Sequence, residues 1–241
     1  MRIAVFSDIH GNLQALNAIL DDIKKGTFDE VICLGDVIGL GPKPKECLEL
    51  LLNSNVTILA GNHDLYYRDG IEIDDEITNI DEIAHHRWVH RTIKDYVDKN
   101  DIKFDFPLTK EMNINGKKIM FAHYMLSKDT SKDPYPFETC MISDIKGITE
   151  CCKDIDVDYL FVGHEHHPYE VHINDKTIYC VGSSGCVTDN KTFYTILDIN
   201  DDVNITRKEL TFDREGLIKD INSFEYPDQE MIKEVFFGIS D

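Results

Sequence analysis

Five short apolar runs in this chain each stop just before an Asp, Asn or His. Ile3-Ala4-Val5-Phe6 leads to Asp8-Ile9-His10, and Val31-Ile32-Cys33-Leu34 leads through Gly35 to Asp36. Val56-Thr57-Ile58-Leu59 leads to Gly61-Asn62-His63-Asp64, Ile119-Met120-Phe121-Ala122 runs directly into His123, and Tyr159-Leu160-Phe161-Val162 precedes Gly163-His164-Glu165-His166. Unbroken apolar runs of about four to six residues are what strands buried on both faces look like. Open α/β sheets bind ligands beyond the carboxyl ends of their strands. The expectation is therefore five strands that deliver Asp, Asn and His side chains to one edge of one sheet, as a metal site built for two ions.

The donor types narrow the metal. Imidazole suits zinc, iron, manganese and nickel, while carboxylate oxygens suit harder divalent ions, so a mixed set points to borderline first-row metals. An Asp can bridge two cations because each of its oxygens can hold one. Two ions roughly 3.5–4 Å apart form the clamp used for displacement at phosphorus. Glycines 11, 35, 61 and 163 adjoin the candidate ligands, where a tight turn from strand to loop has no room for a Cβ.

The ordered blocks Asp8-x-His10-Gly11-Asn12, Gly35-Asp36, Gly61-Asn62-His63-Asp64, Ala122-His123 and Gly163-His164-x-His166 resemble the calcineurin-like metallophosphoesterases. The segments Gly35-Asp36-Val37-Ile38-Gly39-Leu40-Gly41-Pro42 and Val181-Gly182-Ser183-Ser184-Gly185 resemble its small bacterial and archaeal branch, and the likeness spans nearly all of the first 190 residues. Two positions depart from that branch. Leu40 stands where an aromatic is usual, and Cys180-Val181 stand where Asn-Pro is usual, both expected near the substrate mouth.

The resemblance implies an α/β fold, a four-layer αββα sandwich with two facing mixed sheets and the metal site at the carboxyl ends of the strands. It implies that Asp8, His10 and His166 hold one divalent ion and that Asn62, His123 and His164 hold the other. Asp36 would bridge them together with a hydroxide that attacks phosphorus. His63 would be the general acid beside the leaving group, with Asn12 and Asp64 orienting it or contacting phosphate. Manganese is favoured over iron, zinc or nickel.

A chain of 241 residues, 42% hydrophobic, is long enough for one large α/β domain with a full core. The expected span is 1–241, with a helical excursion at about 65–110, second-sheet strands at about 168–212 and a tail from about 213. No run approaches the roughly 18–20 apolar residues of a membrane span. Met1-Arg2-Ile3 enters a strand without the regions of a signal peptide. Seven cysteines, odd in number and without a repeated CxxC, read as reduced thiols in a cytoplasmic protein, with Cys33 and Cys180 buried in strands. The net charge of −20 repels long nucleic acids, whose affinity comes from Lys and Arg. It leaves small phosphorylated substrates, a nucleotide among them, because the metals attract them locally. A homo-oligomer is allowed but not readable.

Helical spacing of Leu13, Leu16, Ile19, Leu20 and Ile23 predicts a helix over 13–25, and Pro44 with Cys47, Leu48 and Leu51 predicts another over 44–52. Residues 66–79 read as polar and irregular. A helix is expected over 80–97 with Ile80, Ala84 and Trp88 on its apolar stripe, and a further helix over 138–152. Asn115-Gly116 marks a hairpin turn. Beyond Pro168, four strands at about 170–173, 177–181, 193–199 and 203–211 suggest a second, partly antiparallel sheet. One short helix and an irregular acidic tail with Phe236-Phe237 close the chain.

Several groups carry two readings. His85, His86 and His90 could be a third metal cluster, but without a carboxylate pair they read as solvated helix histidines that could edge the active-site mouth. His167 reads as exposed or supporting, and His172 as structural. Asp74-Asp75-Glu76 lacks the spacing of a calcium loop. Residues 182–185 read as an anion-binding nest or a plain turn, and Trp88 as a core anchor rather than a stacking platform. Three functions compete: a phosphomonoesterase or phosphodiesterase, a hydrolase of dinucleoside polyphosphates, and a non-catalytic metal-binding scaffold. The scaffold would be expected to lose ligands or the general acid, and none of those eight positions is missing.

Overall fold

Side-chain alternation along the first strand builds the layers. In the computed structural model, which describes residues 1–71, 80–124, 145–153, 155–223 and 225–240, β1 (Arg2–Phe6) turns Ala4 and Phe6 to a helical layer and Ile3 and Val5 to a second sheet. The other strands are β2 (Glu30–Cys33), β3 (Thr57–Ile58), β4 (Thr109–Ile114), β5 (Lys117–Ala122), β6 (Tyr159–Val162), β7 (Tyr169–Ile173), β8 (Lys176–Cys180), β9 (Lys191–Ile199) and β10 (Val203–Thr211). The helices are α1 (Leu13–Ile23), α2 (Pro44–Leu52), α3 (Asn62–Asp69), α4 (Ile80–Asn100), α5 (Ile145–Cys152), α6 (Arg214–Ile221) and α7 (Gln229–Phe237).

Two mixed five-stranded sheets result, ordered β10-β9-β1-β2-β3 and β4-β5-β6-β8-β7. Ile3, Val5 and Ile32 of the first, with Leu34 just beyond β2, meet Ile119, Phe121 and Phe161 of the second in an apolar middle layer. α1, α2 and α4 cover the outer face of the first sheet, where Leu16, Ile19, Leu48 and Ile93 pack on Phe6. Ile148 and Cys152 of α5 cover the second, against Met120 and Leu160. This is the αββα sandwich.

The membership of the strands differs from the expectation. β1, β2 and β3 belong to the first sheet, whereas β5 and β6 pair in parallel in the second, Ile119 with Tyr159 and Phe121 with Phe161. An apolar run reports burial on both faces, and a strand of either sheet meets that condition. The late strands also divide. β7 and β8 join the second sheet, but β9 returns to the first, antiparallel to β1, and carries β10 with it. The Asn115-Gly116 turn joins β4 to β5 as expected.

Three other expectations are corrected. Residues 66–69, expected to be irregular, belong to the helix Asn62–Asp69, and Asp74-Asp75-Glu76 lies outside the described residues, as do 138–144 of the helix expected before β6. α4 does not bury Ile80, which is 80% exposed; its inner face is Ile83, His86, Val89, Ile93 and Val97. The tail is ordered into α6 and α7. Phe237 is fully buried, and the Arg214 guanidinium donates to its carbonyl at 2.7 Å, so an apolar anchor holds an acidic segment to the body. Among the described residues, no helix is long and apolar enough to cross a membrane.

Candidate metal centre

The strand ends of both sheets meet at one place. Asp8 and His10 follow β1, Asp36 follows β2, Asn62 and His63 open α3, His123 follows β5, and His164 and His166 follow β6. His10 Nε2 lies 3.1 Å from His166 Nε2, 3.5 Å from Asp36 Oδ2 and 3.7 Å from Asp8 Oδ1. Beside this set, His123 Nε2 lies 3.3 Å from the same Asp36 Oδ2 and 3.2 Å from Asn62 Oδ1, which is 3.0 Å from His164 Nδ1. Two donor clusters therefore share one carboxylate oxygen. Asp8 Oδ1 is buried with no hydrogen-bond partner, and a buried acceptor left bare costs about 1–3 kcal/mol. Nitrogen and oxygen donors converging at such distances around that bare oxygen fit divalent cations.

The backbone is bent to serve this arrangement. Asp8, His10, Asp36, His164 and His166 all have positive φ, between 46° and 67°. L-residues adopt this conformation at a cost of about 1–3 kcal/mol, and it gathers at functional sites. Side chains and neighbouring loops hold it in place. Asp64, fully buried, accepts from the amides of Asp36, Val37 and Gly61 at 2.8, 3.2 and 3.0 Å. Asn12 caps α1 by accepting from the Ala15 amide and donates to the Gly185 carbonyl. Both residues thus shape the loops and face backbone groups. A Cβ at Gly61 would come 2.1 Å from Asp36 Oδ1, and one at Gly163 would come 2.6 Å from Asp8 Oδ2, so only glycine lets these loops close.

The loop at 182–185 is a brace rather than an anion nest. The amides of Ser183, Ser184 and Gly185 donate to the carbonyls of His166, Ser7 and Asp8, and the Cys186 amide donates to Ser183 Oγ. These donors are spent within the protein. Cys180 and Val181, expected at the substrate mouth, are buried beneath it, with the Cys180 thiol donating to the Gly163 carbonyl.

Charge follows the geometry. Burial opposes ionisation of Asp8 and Asp36, yet the surrounding histidines, His123 foremost, hold both carboxyls below their ordinary range. Burial works against the His123 imidazolium too, but Asp36 and Asp8 outweigh it and lift the group to about 9. His164 is pushed down to about 4 by burial and by the charge on His123. Asp64 is raised to about 7 by burial and by Asp36.

His63 lies at the edge of the donor sets, with a ring nitrogen within 4.8 Å of ligand atoms of His10 and Asp36. Its amide donates to Asp36 Oδ1 at 2.9 Å, while its ring sits edge-on to His10 with centroids 4.8 Å apart. Its Nε2 is 4.0 Å from Asp36 Oδ2, and its Nδ1 packs where a Cβ on Gly39 would be. Burial lowers its basicity, and Asp36 opposes that shift.

A cavity of about 920 Å³ opens over the centre, with Asp36, Asn62, His63, His164 and His166 in its floor. Its walls include His85 and His86, at the active-site mouth where sequence reading allowed them to stand, and residues of the C-terminal segment that it did not place there. His85 and His86 are buried, and the His86 ring lies 4.8 Å from that of His63. These are not solvated helix histidines, because α4 turns this face inward against α3. His90 is exposed and stacks on Tyr67. Trp88 stacks on Tyr226 at 4.9 Å, as a packing residue does. Ile232 and Phe236 of α7 form another wall. Cys186 also lines the cavity, its sulfur within 4.8 Å of the ligand nitrogens of His10 and His166. Its place directly after the 182–185 loop was the one available signal. His167 and His172 are exposed, the latter between Thr177 and Glu170.

Residues 1–202 match the calcineurin-like phosphoesterase superfamily domain. This chain belongs to that superfamily. As a superfamily member it is 34% identical, over 227 residues, to an uncharacterized protein of Methanocaldococcus jannaschii, covering 86% of this chain and 87% of that one. Its fold is similar to the crystal structure of a hypothetical protein from Pyrococcus horikoshii (TM-score 0.74, 19% identity, 100% of this chain and 99% of that chain). It is also similar to a metallophosphoesterase from Sphaerobacter thermophilus (TM-score 0.68, 22% identity, 99% of each chain). The clustered buried Asp and His residues of this calcineurin-like superfamily member are suited to binding divalent metal.

Proposed function

We propose that this phosphoesterase hydrolyses small phosphomonoesters or phosphodiesters with two divalent transition-metal ions. Asp8, His10, Asp36 and His166 would hold one ion, and Asp36, Asn62, His123 and His164 the other. One observation carries the reading: Asp36 Oδ2 lies 3.5 Å from His10 Nε2 and 3.3 Å from His123 Nε2, at the joint of the two donor sets. Manganese is the favoured ion for this N/O set, ahead of iron, zinc or nickel, and calcium is disfavoured because it prefers six to eight oxygens. Ions bound there would supply Lewis-acid polarisation, an activated water and neutralisation of phosphoryl charge.

The chain's own residues do the rest. His63 reaches into the cavity beside Asp36, where its ring can give a proton to a departing alkoxide. His10 on one side and the Gly39 backbone on the other fix that ring. Asp64 and Asn12 hold the loops that aim Asp36 and Asp8. The described cavity lining carries Glu82, Glu165, Asp189, Glu209 and Asp228 against Lys191 and Arg207. That balance favours a substrate with a single phosphoryl group over the tetra-anionic chain of a dinucleoside polyphosphate.

Protein purified without chelator should hydrolyse members of a panel of mono-, di- and pyrophosphate esters. Activity should vanish on exhaustive chelation and return with manganese better than with calcium. Full activity in excess chelator would refute the reading, and metal binding without any hydrolysis would favour a scaffold.

A further inference from the structure

We propose that Cys186 is an additional ligand at the His10–His166 position, making that half of the centre a sulfur-containing site that selects a softer ion than its neighbour. The inference rests on the two-metal reading above and adds to it a residue of this chain. Three observations carry it. The Cys186 sulfur and one ring nitrogen each of His10 and His166 lie mutually within 4.8 Å. A fourth donor lies beside the two imidazoles: Asp8 Oδ1, fully buried and bare of hydrogen bonds, is 3.5 Å from His166 Nε2 and 3.7 Å from His10 Nε2.

The third observation concerns the backbone. The Cys186 amide donates to Ser183 Oγ at 2.8 Å, and that hydroxyl donates to the Asp8 carbonyl at 2.8 Å. The segment that carries the thiol is thereby tied to the segment that carries Asp8, and the two donors keep their mutual position. Cys186 also lines the cavity, within reach of whatever enters it.

The chemistry follows from donor softness. Thiolate favours zinc, iron and cobalt over manganese, whereas the Asn62, His123 and His164 set offers only nitrogen and oxygen. On binding, one Sγ–H bond breaks and one sulfur–metal bond forms, and the proton passes to solvent. No electron is transferred. The two positions should then differ in metal preference, with the softer ion retained at the Cys186 side.

Cobalt(II) titration of metal-free protein tests this directly. Wild type should develop a near-ultraviolet thiolate-to-cobalt charge-transfer band that saturates at one equivalent. Cys186→Ser should lose the band while still binding cobalt, with zinc affinity at that position lower by at least the roughly 10–100-fold that loss of an outer-shell partner costs. X-ray absorption of the zinc-loaded wild type gives an independent reading that needs no variant: a sulfur shell at about 2.3 Å in addition to nitrogen and oxygen at about 2.0–2.1 Å. Cobalt bound without the band, or a band that survives in Cys186→Ser, overturns the assignment and leaves the phosphoesterase reading intact. Failure to bind cobalt at all overturns both.

Discussion

The two proposed ion positions share Asp36 and differ in almost everything else. The first draws Asp8 and His10 from one loop, fully buried, with positive φ at both and at His166. The second draws Asn62 from a helix start and His123 and His164 from strands of the other sheet, with positive φ at His164 alone among these three. The first has a carboxylate of its own in Asp8, whereas the second has the neutral amide of Asn62. The proposed centre is thus asymmetric in charge and in backbone strain, so the first position should be the tight one and the second the exchangeable one. A unit charge at about 4 Å is worth about 4 kcal/mol at an effective dielectric of 20, well above the 1.4 kcal/mol of a tenfold change in affinity.

The largest expected effect would remove the distinction altogether. Asp36→Asn takes the shared oxygen's charge from both positions. Metal content should fall at both, and turnover should drop to background. Elemental analysis alongside a phosphodiester assay checks this, and a variant that keeps both ions and wild-type rates would deny Asp36 its bridging place. Next is His63→Asn, which belongs to neither position. Both ions should stay bound while alkyl phosphoesters slow by about 10²–10⁴-fold, with nitrophenyl esters slowed far less because that leaving group hardly needs a proton. Equal slowing of both substrates would make His63 a positioning residue, and loss of metal would make it a ligand.

Stepwise chelation sharpens the comparison. Dialysis against increasing chelator should release one ion at least about tenfold more readily than the other, in line with the extra carboxylate at the first position. Two ions leaving together would erase the asymmetry. The frame beneath both positions answers to Asp64. An amide in its place cannot accept from the Asp36, Val37 and Gly61 amides at once, so Asp64→Asn should cost about 1–3 kcal/mol in denaturant unfolding of the metal-free protein. His172→Ala marks the lower end. This exposed hairpin side chain should leave metal content unchanged and stability within about 0.5 kcal/mol.

Legibility in the sequence followed the distance over which the chemistry is encoded. Each candidate ligand sits within four residues of its apolar run, so strand and donor are written together, and the blocks could be read in order. Which sheet a run joins is not local. Ile119 and Ile3 look alike in sequence, yet one pairs with Tyr159 and the other with Glu30 and Leu197. The cavity walls were the least legible. His85 and His86 come from a helix whose inner face is set by its packing on α3, and α7 is held by Ile232 and Phe237 in the core and by the Arg214 guanidinium at its end. Residues 182–185 were recognisable as a loop near the site. Only the hydrogen bonds to Ser7, Asp8 and His166 show that its amides are already occupied.

Anomalous diffraction from crystals of manganese-loaded protein would test the two-position centre most directly. The account predicts two peaks sharing Asp36, one bounded by Asp8, His10 and His166 and the other by Asn62, His123 and His164. A single peak, a peak on His63 or His86, or none among these residues would contradict it.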